Sequence, residues 1–349
     1  MSIVTHPSTR AVKVGETPAR PSASSQPQLH PAYCFLAAPV ALGLGVAGLV
    51  LADDVTAAMV VGLVLVALWA GAGLALGVRR REDRLAPIAF AAALMGGAWL
   101  LMAGLATGTD GALVDLGVRL AAALLPALAF HLLVSLPSGR LVTSSRKGVV
   151  LAGYVLGAAV GVGLMSNRDE LLVWPLALAW LAALGLGLVA SHGRYREAGA
   201  VDRRRMQWIG WALAVGAEAV LVIVALEVLA DWPDNPAIVA LALTGLVPLS
   251  LIAGTFPKLI GRIDRVLTYT VSLAGLTALI VVVYVVVVVG LARRPEEGER
   301  SLLLLSMLAA GIAALLYLPA RRWLTERANR LVYGERVAPD ETLRTFGQL

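Results

Sequence analysis

Ten apolar runs alternate along this chain with short polar connections. They cover residues 32–52, 56–78, 85–107, 113–136, 148–165, 172–191, 207–230, 236–256, 267–292 and 301–320. A hydrocarbon core of about 30 Å takes roughly 20 residues of helix at about 1.5 Å per residue, so the runs predict ten membrane-spanning helices. The expected fold class is all-α, a polytopic membrane helical bundle of about ten transmembrane helices.

Two segments fall outside the pattern and set the expected domain organisation. Residues 1–31 carry Pro, Ser and Thr without apolar periodicity and predict a disordered cytoplasmic tail. A secretory signal would place its apolar core near the start, whereas here about thirty polar residues come first. Residues 32–320 form the bundle. Residues 321–349 return to polar, amphipathic sequence and predict a cytoplasmic signalling or linker helix.

Composition agrees with the pattern. Hydrophobic residues make up 58% of the 349 and charged residues 15%, and mean hydropathy is +0.80, against about a quarter charged in soluble domains. The net charge of +6 raises nucleic acid as a partner, but binding it needs a basic patch on a folded soluble surface, and the runs leave no room for one. Among 29 basic residues only Lys13, Lys147 and Lys258 are lysines; with the heavy use of Ala, Gly and Val, this is the bias of a high-GC bacterial genome. A single cysteine, Cys34, excludes a disulfide within the chain and a cysteine-based metal site, and reads as packing. No cofactor or metal is expected.

Charge placement orients the bundle. Of the 29 basic residues, 24 fall on connections of one parity, among them RRREDR at 79–84 and the stretches 137–147 and 192–206. Cytoplasmic loops accumulate Lys and Arg, so both termini are expected in the cytoplasm, across a bacterial plasma membrane. The opposite connections are short and mostly acidic, ADD at 52–54 and DWPDN at 231–235. They leave only a small or lipid-soluble ligand, or the state of the membrane, to be detected or moved.

Ionisable groups at membrane depth are the candidate sites. Glu218 lies about 15 Å into its run counted from Trp208, near the midplane; it is either a ligand contact or a buried pair that fixes packing. Asp115 and Arg119 are four residues apart, on one helix face, and can pair with each other. Glu227 points the opposite way from Glu218 and belongs near the outer interface. His131, near the inner end of the fourth run, fits a core or headgroup contact better than a metal. Glycines at 43–48 and at Gly185 and Gly187 predict close helix approach. Pro39, Pro126, Pro175 and Pro248 lie within runs and are candidate kinks.

After Pro319, Leu324, Ala328, Leu331 and Val332 recur at helical spacing, and Gly334 is placed to end that helix before Pro339. A second short helix from Asp340 would put Leu343, Phe346 and Leu349 on one face. The alternative for these faces is a helix lying on the inner leaflet, for which Trp323 and its arginines are suited.

Four stretches, HLLVSLPSGRL (131–141), DRRRMQWIGWA (202–212), IGRIDRVLTYTV (260–271) and NRLVYGERVAPDETLRTFGQL (329–349), resemble the membrane portion of multi-pass bacterial two-component sensor histidine kinases. The resemblance implies a sensor or input module acting as a homodimer among membrane lipids. Its partners would be cytoplasmic kinase or GAF-type domains, in cis or in trans. Signal transmission would run through Trp323, Leu324, Leu331, Tyr333, Gly334, Arg336, Pro339 and Phe346, and Glu218, Arg119, Asp115 and His131 are the ligand or signal candidates. The only histidines are His6, His30, His131 and His192, none in a phospho-acceptor helix, and no ATP-binding motif is present. The chain is therefore not expected to be an enzyme, and the kinase core would lie beyond Leu349 or on another chain. The competing expectation is a ten-helix secondary transporter of the drug and metabolite exporter type.

Overall fold

The computed structural model describes residues 31–109, 111–166, 173–230 and 232–263, with scattered positions beyond as far as 323. Among these residues the secondary structure is helical. The elements are α1 (Pro31–Leu51), α2 (Ala57–Arg79), α3 (Leu85–Gly108), α4 (Ala112–Ser135), α5 (Ser144–Gly163), α6 (Val173–Glu197), α7 (Ala200–Ala230), α8 (Pro236–Leu243), α9 (Leu246–Ala253) and α10 (Pro257–Ile260). Helices α2 to α7, and α8 with α9 taken together, are long and apolar enough to cross a membrane.

Local chemistry explains several boundaries. Thr56 and Thr143 cap α2 and α5, each hydroxyl accepting a backbone N–H three residues on, from Met59 and Arg146. That cap starts α5 four residues before its apolar run. α7 starts seven residues before its run, because DRRRMQ continues the helix; its 31 residues span about 46 Å, more than the hydrocarbon core requires.

The eighth run is not one helix. It breaks at Thr244 and Gly245 into α8 and α9, and the cause is Pro248. Proline has no N–H to give the carbonyl of Thr244, and its ring crowds that carbonyl. Gly245 N instead donates to Ala242 O at 3.0 Å, and the Thr244 hydroxyl to Leu241 O at 2.6 Å. Pro39 and Pro126 sit inside α1 and α4, which continue through them, and Pro175 falls in the first turn of α6, where no N–H is needed.

α3 packs between α1, α2 and α4. Its seam with α1 is backbone against backbone: a Cβ on Gly104 would lie 2.0 Å from Gly48 O, and one on Gly97 would lie 2.4 Å from Ala41 O. Of the glycines at 43–48, Gly48 makes this approach and Gly43 faces open space. α4 carries α5 and α6 on its other side. α5 buries only Val150, Gly157 and Gly161 and exposes Val149, Leu151, Val155, Leu156 and Val162. An apolar shell of this extent is the surface of a bundle solvated by lipid rather than water.

Most of the ninth and tenth runs, the tail at 1–30 and the linker residues Leu324, Leu331, Tyr333, Gly334, Arg336, Pro339 and Phe346 lie outside the described residues. Trp323 is described: it is helical and exposed.

Candidate functional site

The four sequence candidates occupy three separate places. Asp115 and Arg119 pair as the spacing predicts, Nε to Oδ1 at 2.9 Å. Arg119 is 5% exposed, and its Nη1 also donates to Leu164 O at 2.8 Å, so the guanidinium caps the end of α5 and ties it to α4. His131 lies three turns further along α4, where its Nδ1 meets the Tyr154 hydroxyl of α5 at 3.1 Å, the rings edge to face. Glu218, half-buried on α7, shares a side-chain hydrogen bond with Thr277. Among the described residues no three His, Cys, Asp or Glu side chains gather into a possible metal site.

A denser polar arrangement forms at the end of the bundle that carries the basic loops. There the α2–α3 loop, the α4–α5 loop and the start of α7 interlock. Arg80 pairs with Asp83, donates to Pro137 O at 3.3 Å and lies 4.0 Å from Asp202 on α7. Asp202 in turn accepts from Arg205 Nη1 at 2.9 Å. Arg84 N donates to Ser138 O at 2.9 Å, and Arg140 Nη2 to Glu82 O at 3.1 Å. From α6, Arg194 donates to Val134 O at 2.8 Å, supplying a donor for one of the carbonyls that the end of α4 leaves without a helical partner. Arg79 lies 3.9 Å from the centre of the Phe256 ring, tying α2 to the segment before α10.

The loops come this close because of Gly139. Its φ is +73°, and a Cβ there would stand 2.3 Å from the Arg84 carbonyl carbon. Pro137–Ser138–Gly139 is turn chemistry legible in the sequence; its partner loop is not. Beside this clasp a narrow crevice of about 10 Å³ lies between Arg80, Leu85, Pro137, Arg205, Met206 and Ser250.

Burial sets the electrostatics. The Arg80 side chain is 9% exposed, and burial lowers its pKa, with Asp83 pulling the other way. Burial likewise pushes the Asp83 carboxyl above the ordinary aspartate range, and the neighbouring Arg80 offsets this only in part. The ions are held by geometry and by the carbonyls around them more than by net attraction.

Sequence reading counted these arginines for orientation and missed the clasp. Two of the stretches that carry the family resemblance, 131–141 and 202–212, both enter it. No protein-family model, curated protein or solved structure matches this chain.

Proposed function

We propose that this chain is the membrane input module of a two-component sensor histidine kinase, ten spans with both termini cytoplasmic, relaying a small-molecule, lipid or membrane-state signal to a kinase core. The observation that carries the reading is the clasp: stretches 131–141 and 202–212, which resemble the sensor family, meet at one end of the bundle through Pro137, Arg80 and Asp202. α7 is one helix from Asp202 to Glu218, about 24 Å at the standard rise. A displacement near Glu218 would therefore reach the clasp through a stiff element. A stimulus acts only if it differs in affinity for two arrangements of the bundle, and the clasp is the place for a second arrangement of α7.

The test joins the chain to a histidine kinase core in proteoliposomes and follows autophosphorylation as bilayer composition is varied. Output should change several-fold, and Glu218→Gln should alter that response. An unchanged response removes Glu218 from the signal path, and constant output from the unsubstituted chain removes the sensor reading.

The transporter reading has one observation in its favour, the broken eighth run, since discontinuous helices build transporter sites. Here the polar groups at the break are already used: Thr244 Oγ1 donates to Leu241 O and Ser250 Oγ to Val247 O. Solute counterflow in the same proteoliposomes would revive it.

A further inference from the structure

Arg80 stands between two carboxylates on different elements. Its own loop supplies Asp83, with which it is paired, and α7 supplies Asp202, 4.0 Å away. Its side chain is 9% exposed. A guanidinium buried to this degree is costly without a carboxylate, because it has lost most of its water. Asp83 is 19% exposed and Asp202 43%, so protons from solvent reach both. Asp202 is held by Arg205 Nη1 at 2.9 Å, within the same turn of α7, and therefore moves only with the start of that helix. The charged groups that face Asp83 are Arg80 from its own loop, Arg140 from the α4–α5 loop, and Arg205 and Asp202 from α7. The three arginines favour its anion, whereas burial and Asp202 disfavour it, and burial is the largest of these effects.

We propose that the clasp is a proton-operated switch in which Arg80 passes from Asp83 to Asp202 when Asp83 takes up a proton from the cytoplasm. A neutral Asp83 no longer balances the Arg80 charge, and the carboxylate left beside it is Asp202. A charge-assisted N–H···O bond is about 2.7 to 2.9 Å long, so closing the 4.0 Å gap draws the start of α7 toward the α2–α3 loop by about 1 Å. Asp202 then bridges Arg80 and Arg205 and offsets the repulsion between them. When Asp83 is ionised, Arg80 returns to it and α7 is released. The two arrangements differ by one bound proton, and that difference is what lets pH bias them. The switch deepens the sensor reading by naming a stimulus, the cytoplasmic proton, and rests on that reading for its output alone.

The experiment is hydrogen–deuterium exchange of the full chain in nanodiscs, read by mass spectrometry over residues 203–210 of α7 and corrected for the intrinsic pH dependence of exchange. Protection there should rise about three- to ten-fold as pH falls from about 7.5 to about 5. Asp83→Asn, which keeps the neutral form at every pH, should show the higher protection at both ends of that range. Asp202→Asn should abolish the rise. A flat profile in the unsubstituted chain, an Asp83→Asn variant that keeps the full pH dependence, or a rise that survives Asp202→Asn overturns the proposal. If Asp83→Asn does not fold, the unsubstituted profile and Asp202→Asn carry the test. Phosphorylation is not read, so a failed switch leaves the sensor reading standing, and a silent kinase leaves the switch standing.

Discussion

At the residue scale, two positions set the clasp. Gly139 combines a positive φ with a neighbour's backbone where a side chain would sit. Gly139→Ala should lower stability by about 2 kcal/mol, through backbone strain and the displacement of Arg84, whereas Gly43→Ala, facing open space, should raise it by up to about 1 kcal/mol. Thermal melts in one detergent check both. Asp83 gives a pH signature. Its folded pKa lies above the unfolded one because burial disfavours the anion. The folded chain thus holds that proton more tightly, and this group's contribution is present at low pH and lost as pH rises through the folded value. Asp83→Asn should flatten stability against pH in the window from the ordinary aspartate range up to the folded value; an unaltered slope would show that Asp83 does not titrate there.

At the scale of elements, small residues are used for packing within the chain. Gly153, Gly157 and Gly161 on α5 have the spacing of a helix-dimerisation face. In the fold Gly157 lies against Ala123 O and Gly161 against Leu120, both of α4. Gly161→Leu should therefore depress the melting temperature by several degrees, through overpacking of about 1 to 3 kcal/mol, and leave the oligomeric state in detergent unchanged; loss of oligomer instead would place the motif between chains. Glycine spacing predicted close approach on α1 and α6, but Gly185 faces open space while Gly187 packs on Leu133. Spacing shows that a helix can be approached closely, and only the neighbour's position shows where.

At the scale of the whole molecule, the basic loops cluster at one end and Asp53, Asp54 and Asp234 belong to connections of the opposite parity. The proposed orientation makes a direct prediction. In a Cys34→Ala background, a cysteine replacing Asp54 should react with an impermeant maleimide added outside intact cells, and one replacing Arg140 should react only after permeabilisation. The reverse pattern would invert the bundle and leave the clasp outside the cytoplasm. Hydrophobic periodicity and length were sufficient to read the all-helical class, the positions of the seven apolar helices long enough to cross a membrane among the described residues, and the Asp115–Arg119 pair, because these depend on neighbours at most four residues apart or on solvent. The break at Thr244 was half legible: Pro248 announced a disturbance, and the fold shows it as two helices. What only the tertiary structure decided is which distant residues meet, Arg80 with Pro137 and Asp202, Gly104 with Gly48, Glu218 with Thr277. Those contacts join segments 50 or more residues apart, and their energy depends on how whole helices pack, which no local pattern encodes.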